Sequence, residues 1–216
     1  MTDRPRQERG RRRRADILAA TERILLAEGS REVTHRAVAS AAEVPASAIR
    51  YYFNTREALL LACLDAIEER RSAEAALALA EALEERSWSA EEVGQRVMRI
   101  WYGADLDDQA LRGAVGWITD CSRESPALSE RLIAFRAAID SELRTLLDRC
   151  GYSRVPEVLV AAVADGSVLS SAAEARGGIA ARAVRDLMLL LQLGEDEDRA
   201  EQPGSSVAGF VSAPSS

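Results

Sequence analysis

The sequence contains no lysine, and all 28 of its basic residues are arginine. Its single histidine, His35, excludes a metal site that requires several histidines, and Cys63, Cys121 and Cys150 lack metal-ligand spacing. Three well-separated cysteines also argue against the disulfide framework of a secreted protein. We therefore expect a cytoplasmic protein that holds no metal and no other cofactor.

Long hydrophobic runs are missing as well. The longest strongly apolar stretch, residues 187–191, is far shorter than the ~20 residues that span a bilayer, so no membrane contact is expected. Aromatic residues make up only 5% of the 216 residues, whereas the helix-forming Ala, Leu, Arg and Glu are abundant. The composition predicts an all-α fold, large enough to bury a core without disulfides or metals.

Charge is distributed unevenly along the chain. Residues 1–60 contain 12 Arg and 8 acidic residues, whereas the remainder contains 16 Arg and 27 acidic residues, which together give the formal charge of −7. Residues 1–14 alone hold seven Arg, four of them consecutive. A basic end on an acidic body indicates that this end meets a polyanion, although an Arg run can also be a solvated tail.

Apolar residues recur at helical spacing along most of the chain. Thr34 and Thr55 are suited to cap the second and fourth helices, Gly29 to end the first, and Pro45 to open the third. We predict nine helices over residues 12–28, 35–42, 45–52, 56–86, 90–103, 107–123, 127–150, 156–176 and 179–193. The first three form a helix-turn-helix, in which two short helices are braced by a longer one.

Five stretches of the N-terminal part carry a further signal. They read, in order, RADILAA (14–20), EG (28–29), VTHRAVA (33–39), VPASAIRYYF (44–53) and TREALL (55–60). Residues 12–64, about a quarter of the chain, resemble the DNA-binding domain of the TetR family of bacterial transcriptional regulators. The resemblance implies a basic flexible arm (1–11), a helix-turn-helix domain (12–71) and a ligand-binding and dimerisation domain (72–194). The acidic and then Gly-, Ser- and Pro-rich residues 195–216 predict a disordered tail.

The sequence departs from the family pattern at three positions. Glu43 stands where Gly is usual between the second and third helices, and a side chain there costs about 1 kcal/mol if the backbone is left-handed. Arg50 replaces a more usual aromatic residue, and Ser47 a frequent Gly. These departures leave the base preference unreadable by analogy.

The third helix is the predicted reader of DNA. Its small first residues, Ala46, Ser47 and Ala48, allow close approach to base edges in the major groove. Arg50 could reach a guanine or a phosphate, or form a salt bridge within the domain. The resemblance places Tyr51 on the phosphate backbone with Tyr52 near it, although the aromatic run could also be core.

Further phosphate contacts are expected around the starts of the second and fourth helices, where free N–H groups and the helix dipole favour an anion. The resemblance places Thr34 and Arg56 there, flanked by Arg36 and by His35, which could instead be only an exposed first-turn residue. Before the first helix, residues 11–14, including Arg12 and Arg14, are expected along the backbone or in the minor groove.

The last two helices are apolar enough to pair with their copies as a four-helix bundle, or else to close the protomer core. The family dimerises in this way. The predicted interface residues are Val163, Gly166, Ser167, Ser170, Val184, Leu187 and Leu191. In the middle of the chain, aromatic residues predict either an apolar effector pocket, as the family implies, or ordinary core. The candidate lining residues are Trp101, Tyr102, Trp117, Cys121 and Phe135.

The leading hypothesis is a ligand-responsive regulator, most simply a repressor. It would bind a palindromic operator in double-stranded DNA as a homodimer and be released by an unknown small-molecule effector. A nucleoid-type DNA-binding dimer without a ligand is the alternative. An all-α di-metal enzyme is disfavoured because it needs Glu-x-x-His pairs, and His35 is the only histidine.

Overall fold

The computed structural model describes residues 4–83, 87–104 and 106–200. Over these residues the chain is all-helical, as the sequence predicts. The described part forms nine α-helices: α1 (Arg4–Glu28), α2 (His35–Ala41), α3 (Ala46–Tyr52), α4 (Arg56–Glu81), α5 (Ala90–Tyr102), α6 (Asp108–Glu124), α7 (Pro126–Cys150), α8 (Glu157–Ala173) and α9 (Ile179–Ala200). Within the same ranges, no helix combines the length and apolar character needed to cross a bilayer.

The helix ends in the predicted DNA-binding region follow the predicted local chemistry. The Thr34 hydroxyl accepts a hydrogen bond from the Ala37 amide (3.1 Å), and the Thr55 hydroxyl accepts one from the Ala58 amide (3.0 Å). Glu43 has a φ of 52°, so the left-handed residue that the family pattern suggests is present with a side chain on it. A short 3-10 turn, Ser30–Glu32, separates α1 from α2 and was not predicted.

The predicted arm and tail both differ from the structure, and the helices predicted over 56–86 and 156–176 end earlier, at Glu81 and Ala173. The flexible arm over residues 1–11 is wrong for its described part, because α1 already begins at Arg4. Pro5 suits a first helical turn, and the Arg, Gln and Glu that follow are good helix formers. At the other end α9 continues to Ala200, so residues 195–200 are helical where the sequence predicts a disordered tail. Residues 1–3, 84–86 and 201–216 lie outside the described residues, so the predictions for them stay predictions.

The described residues form two hydrophobic clusters, and the division between them does not fall at the predicted domain boundary, residue 71. The N-terminal cluster joins α1 to α4, but it also includes Trp117 and Cys121 of α6 and Leu128 of α7. The second cluster joins the end of α4 to α5, α7, α8 and α9. Thus α6 and the start of α7 belong to the core of the DNA-binding region as well as to the C-terminal part.

A buried arginine holds α4 against α5 and α7. The Arg71 side chain is 6% exposed, and its guanidinium donates to the Ile100 carbonyl (2.6 Å). The same guanidinium donates to the carboxylates of Glu142 (2.6 Å) and Glu68 (2.6 Å). A charge this far from water is tolerated because its donors are matched by two carboxylates and a carbonyl.

Helix α6 approaches the end of α1 closely enough to require a glycine. A Cβ built on Gly113 would lie 2.6 Å from the Leu26 carbonyl oxygen, a contact with backbone that cannot swing aside. Gly116, one turn further on, has no atom within 4 Å of its Cβ position. The backbone of α6 therefore contacts α1 directly at Gly113.

We expect Gly113→Ala to lower the free energy of unfolding by about 1–3 kcal/mol, because the new methyl group forces the two helices apart. Gly116→Ala in the same helix is the matched control. It should raise stability by about 0.5–1 kcal/mol, since alanine is the better helix former. Urea denaturation monitored by circular dichroism measures both values. Equal effects of the two substitutions would contradict the close approach.

Candidate nucleic-acid interface

Helix α3 presents a short polar face to solvent. It is anchored by Ile49, which is fully buried, and by Phe53, which follows its last turn and is 4% exposed. On the outer side Ser47 and Arg50 are exposed, and Tyr51 is 82% exposed. Ala46 is exposed and Ala48 half-buried. The predicted base-reading residues are therefore together on a face that no other described element covers.

The two tyrosines at the end of α3 have different environments. Their rings meet edge to face, with centroids 5.1 Å apart and planes at 87°. Tyr52 is half-buried, and its hydroxyl lies 3.7 Å from the Cβ position of Gly10 in α1. Tyr52 thus packs between α1 and Tyr51, which directs Tyr51 outward, as predicted for a residue that touches the DNA backbone.

The start of α2 lies in the same domain and offers further polar groups. Thr34 and Arg36 are exposed, although the Thr34 hydroxyl already serves as the helix cap. His35 is half-buried, and its Nε2 atom is buried without a hydrogen-bond partner among the described residues. At the far end of α2, the Arg23 guanidinium donates to the Ala41 carbonyl (3.0 Å), which ties α2 to α1.

The arginine run sits on α1 and not on a separate arm. Arg12 and Arg14 are both exposed. The Arg14 guanidinium carbon lies 5.4 Å from the centroid of the Phe53 ring, so this residue projects from the side of α1 that meets the end of α3. The structure therefore brings Arg14 toward the predicted reading face and holds it on a helix.

Arg56 is placed differently from the other predicted phosphate contacts. Its guanidinium donates to the Val33 carbonyl (2.7 Å), to the Ser30 carbonyl and to the Glu124 carboxylate (3.3 Å). A second guanidinium nitrogen forms an ion pair with the other oxygen of Glu124. The structure thus directs the Arg56 guanidinium toward Glu124 at the end of α6.

These elements coincide with a known domain. Residues 17–63 match the model of the tetR family of bacterial regulatory proteins. The matched range begins in α1, contains α2 and α3 entire, and ends in α4. Residues 17–63 thus carry the N-terminal domain of the tetR family of bacterial regulatory proteins.

Solved structures share the fold over most of the chain. A transcriptional regulator from Rhodococcus sp. Rha1 has a TM-score of 0.67 and 16% identity, covering 85% of this chain and 96% of that one. A TetR-family regulator from Streptomyces coelicolor has a TM-score of 0.60 and 18% identity, covering 89% and 95%. The multidrug binding protein EbrR, complexed with malachite green, has a TM-score of 0.60 and 23% identity, covering 82% and 96%. At these identities the likeness shows the fold alone. A comparison with curated proteins gives no significant match.

The five predicted pocket residues are not brought together. Trp101 and Tyr102 belong to the C-terminal cluster, whereas Trp117, Cys121 and Phe135 pack with the core of the DNA-binding region. Aromatic content between α5 and α7 could not reveal this division, because α6 contributes its apolar side to the N-terminal cluster. Burial raises the pKa of the Cys121 thiol to about 11, as expected for a packed rather than a reactive cysteine.

Trp101 and Tyr102 are tied down by a carboxylate that sequence reasoning missed. The Trp101 indole N–H (2.6 Å) and the Tyr102 hydroxyl (2.9 Å) both donate to Asp165 of α8. Burial, with the Asp165 charge next, raises the pKa of Tyr102 above its usual range. The Arg136 guanidinium lies over the Trp101 ring, with its central carbon 4.5 Å from the ring centroid. A lone Asp inside an apolar helix was the available signal.

Two clefts lie where α6 meets the end of α1. One, of about 540 Å³, has Leu25, Leu26, Gly113 and Trp117 on its walls. The other, of about 530 Å³, is polar and is lined by Ser30, Arg31, Arg56, Thr119, Asp120, Arg123 and Glu124. Of the predicted pocket residues, Trp117 lines the first cleft.

The predicted dimer residues fall on two different sides of α8 and α9. Leu187 and Leu191 are fully buried within the protomer, so their assignment to an interface is wrong. Val163 and Val184 pack partly against the same core, whereas Gly166 and Ser170 are exposed, and Ser167 is half-buried and donates to Asp186 (2.7 Å). The error arose because these helices are apolar on opposite sides, so periodicity alone does not say which side faces inward.

Helices α8 and α9 also carry a stripe of exposed apolar residues on the side that faces away from the core. On α9 its members lie two positions along the sequence from the buried Leu187 and Leu191. On α8 it contains Val158 (52% exposed) and Leu169 (55%) and passes over Ala162 and Gly166. On α9 it contains Leu189 (53%) and Leu193 (66%). A stripe of large exposed aliphatic residues on two neighbouring helices is typical of a protein–protein contact.

Proposed function

We propose that this TetR-family protein is a transcriptional repressor that binds a palindromic operator as a homodimer and leaves it when a small apolar effector binds. The observation that carries the proposal is the outer face of α3. There Ser47, Arg50 and Tyr51 are exposed on a helix whose inner residues are fully anchored. A helix held in this way fits the major groove of B-DNA, and its small leading residues permit a close approach to base edges.

The contacts divide by type in this proposal. Ser47 and Arg50 read base edges, with Ala46 and Ala48 in apolar contact with the thymine methyl group. Tyr51, Thr34, His35 and Arg36 lie on phosphates on either side of the groove, with Tyr52 supporting Tyr51. Arg12 and Arg14 extend the phosphate contacts along α1. Both are exposed, and Arg14 is directed toward the end of α3.

The exposed stripe on α8 and α9 supports a twofold dimer. Burying Leu169, Leu189 and Leu193 against their copies removes large aliphatic surfaces from water, which is the main favourable term in association. A dimer also meets the needs of recognition, because one short helix covers few base pairs. Two copies related by a twofold axis would read half-sites about one DNA turn (~34–36 Å) apart.

We place the effector in the cleft between α1 and α6. EbrR was solved with malachite green, an aromatic compound, and it shares this fold. Here the cleft of about 540 Å³ between α1 and α6 has an apolar side that includes Leu25, Leu26 and Trp117. The same cleft is also lined by the charged Asp108, Arg112 and Asp120. An effector bound there releases DNA only if it has a higher affinity for a conformation of α1 and α6 that cannot bind the operator than for the conformation that can.

A fluorescence anisotropy titration with the DNA upstream of the protein's own gene tests the proposal. Binding should weaken steeply with salt, because arginines replace condensed counterions on the phosphates. A compound that quenches tryptophan fluorescence and lowers this affinity identifies the effector. DNA binding that no compound relieves would favour a nucleoid-type protein, and the absence of promoter binding at low salt would refute the proposal.

Substitutions of Arg50 in α3 and Arg36 in α2 should have distinguishable effects on DNA binding. Arg50→Ala should weaken operator binding by about 1–3 kcal/mol and reduce the difference in affinity between operator and unrelated DNA. Arg36→Ala should weaken both DNAs alike and reduce the salt slope by about 1. Both residues are exposed, so melting temperatures should not change. If Arg50→Ala weakened all sequences equally, Arg50 would be a phosphate contact.

A further inference from the structure

Arg56 joins the entry of α2 to the last residue of α6. Its carbonyl partners, Ser30 and Val33, lie in and just after the 3-10 turn that leads to the cap residue Thr34. Its carboxylate partner, Glu124, is the last residue of α6. The Arg56 and Glu124 side chains are 34% and 22% exposed, so the pair is partly shielded from water.

We propose that Arg56 is a positioning residue for DNA binding and that it acts through Glu124, not through a phosphate. The inference rests on the proposed function. With its donors on two carbonyls and a carboxylate, the guanidinium fixes the turn from which α2 starts. To reach a phosphate, it would have to leave all three acceptors, two of them backbone groups that α2 needs in place.

The opposite end of α6 is tied to the helices of the proposed dimer. The Asp108 carboxylate accepts from the amides of Gly178 (2.9 Å) and Ile179 (2.8 Å) at the start of α9. The Arg112 guanidinium donates to the carbonyls of Ala172 (3.2 Å) and Arg176 (2.6 Å) at the end of α8. One helix thus connects the α8–α9 turn to Arg56, so a shift of α6 along its axis would act on the start of α2.

A single substitution separates the two roles of Arg56. If Arg56 binds a phosphate, Glu124 competes with the DNA, and Glu124→Gln should raise DNA affinity and leave Arg56 freer. If Arg56 positions α2, Glu124→Gln should lower operator affinity about 5- to 10-fold, in the range of coupling between sites. The salt slope should stay unchanged, since no phosphate contact is lost.

Asp120→Asn is the matched control. Asp120 is an exposed acid on α6, lines the same cleft as Glu124, and its substitution removes the same charge. Asp120→Asn therefore measures the effect on DNA affinity of removing one negative charge without disturbing Arg56. We expect this effect to be a small gain in affinity. The proposal is overturned if Glu124→Gln binds operator DNA as tightly as Asp120→Asn does, or more tightly.

Arg56→Gln provides a second measurement, which also decides the matter if Glu124→Gln is poorly folded. A positioning role predicts a lower operator affinity with an unchanged salt slope, whereas a phosphate contact predicts a salt slope that falls by about 1. A folded Arg56→Gln variant whose salt slope falls by about 1 overturns the proposal. If wild-type protein binds no promoter DNA, the proposed function fails; if it binds and only these variants disagree, this inference alone fails.

Discussion

Replacing Leu169 and Leu189 together with Glu is expected to give a folded monomer that binds operator DNA roughly 10²–10⁴-fold more weakly than wild type. Both leucines are more than half exposed in the protomer, so their substitution costs little in folding. In the proposed twofold dimer, Leu169 and Leu189 pack against the same stripe of the partner protomer. The new carboxylates would therefore be buried close to one another at the interface. The loss of affinity follows because a monomer engages one half-site at a time.

Analytical ultracentrifugation gives the oligomeric state of this variant, and anisotropy gives its DNA affinity. Leu77→Glu is the control, because Leu77 is equally exposed (54%) but lies on α4, away from the stripe. It should remain dimeric and bind DNA normally. A Leu169→Glu, Leu189→Glu protein that still sediments as a dimer would show that the protomers meet elsewhere.

Arg71→Ala is expected to lower the free energy of unfolding by about 3–5 kcal/mol, a large share of the stability of a typical domain. The substitution leaves the Glu68 and Glu142 carboxylates close together without their shared cation. It also removes the donor to the Ile100 carbonyl at the α4–α5 contact. An uncompensated charge in a partly buried site is more costly than the loss of the pair itself.

The neighbouring residue supplies the control for Arg71. Arg70 also pairs with a carboxylate, that of Glu22, but its side chain is 58% exposed. Arg70→Ala should therefore cost no more than ~1 kcal/mol, as for surface pairs in general. Chemical denaturation of the two variants compares them directly, and similar losses would mean that the Arg71 network contributes little.

Local chemistry in the DNA-binding region was predictable because short-range signals determine it. Thr34 and Thr55 cap the helices that they were expected to cap, and Glu43 adopts the left-handed backbone that the turn requires. The outward placement of Tyr51 and the burial of Phe53 followed from their position at the end of a short helix. These features depend on residues close in sequence, where spacing alone is informative.

Features that depend on distant partners were not predictable in the same way. The Arg56 side chain is oriented by its contact with Glu124, which is 68 residues away in the sequence. No pattern in the sequence near Arg56 indicates this partner. Leu187 was assigned to the wrong side because α9 is apolar on both. Trp117 was grouped with Trp101 by proximity in sequence, whereas the path of α6 places it in the other core. Each error concerns which of two plausible neighbours a residue meets, a question of tertiary packing.

The early start of α1 changes how its arginines act. Four consecutive residues on a helix advance by about 100° each, so Arg11 to Arg14 point around the full circumference and only part of the set can face one duplex. The first turn of α1 contains no acidic residue that would interact favourably with the helix dipole. In the proposed complex, DNA phosphates near that end would supply the missing negative charge, so the stability of the start of α1 and the binding of DNA would be thermodynamically linked.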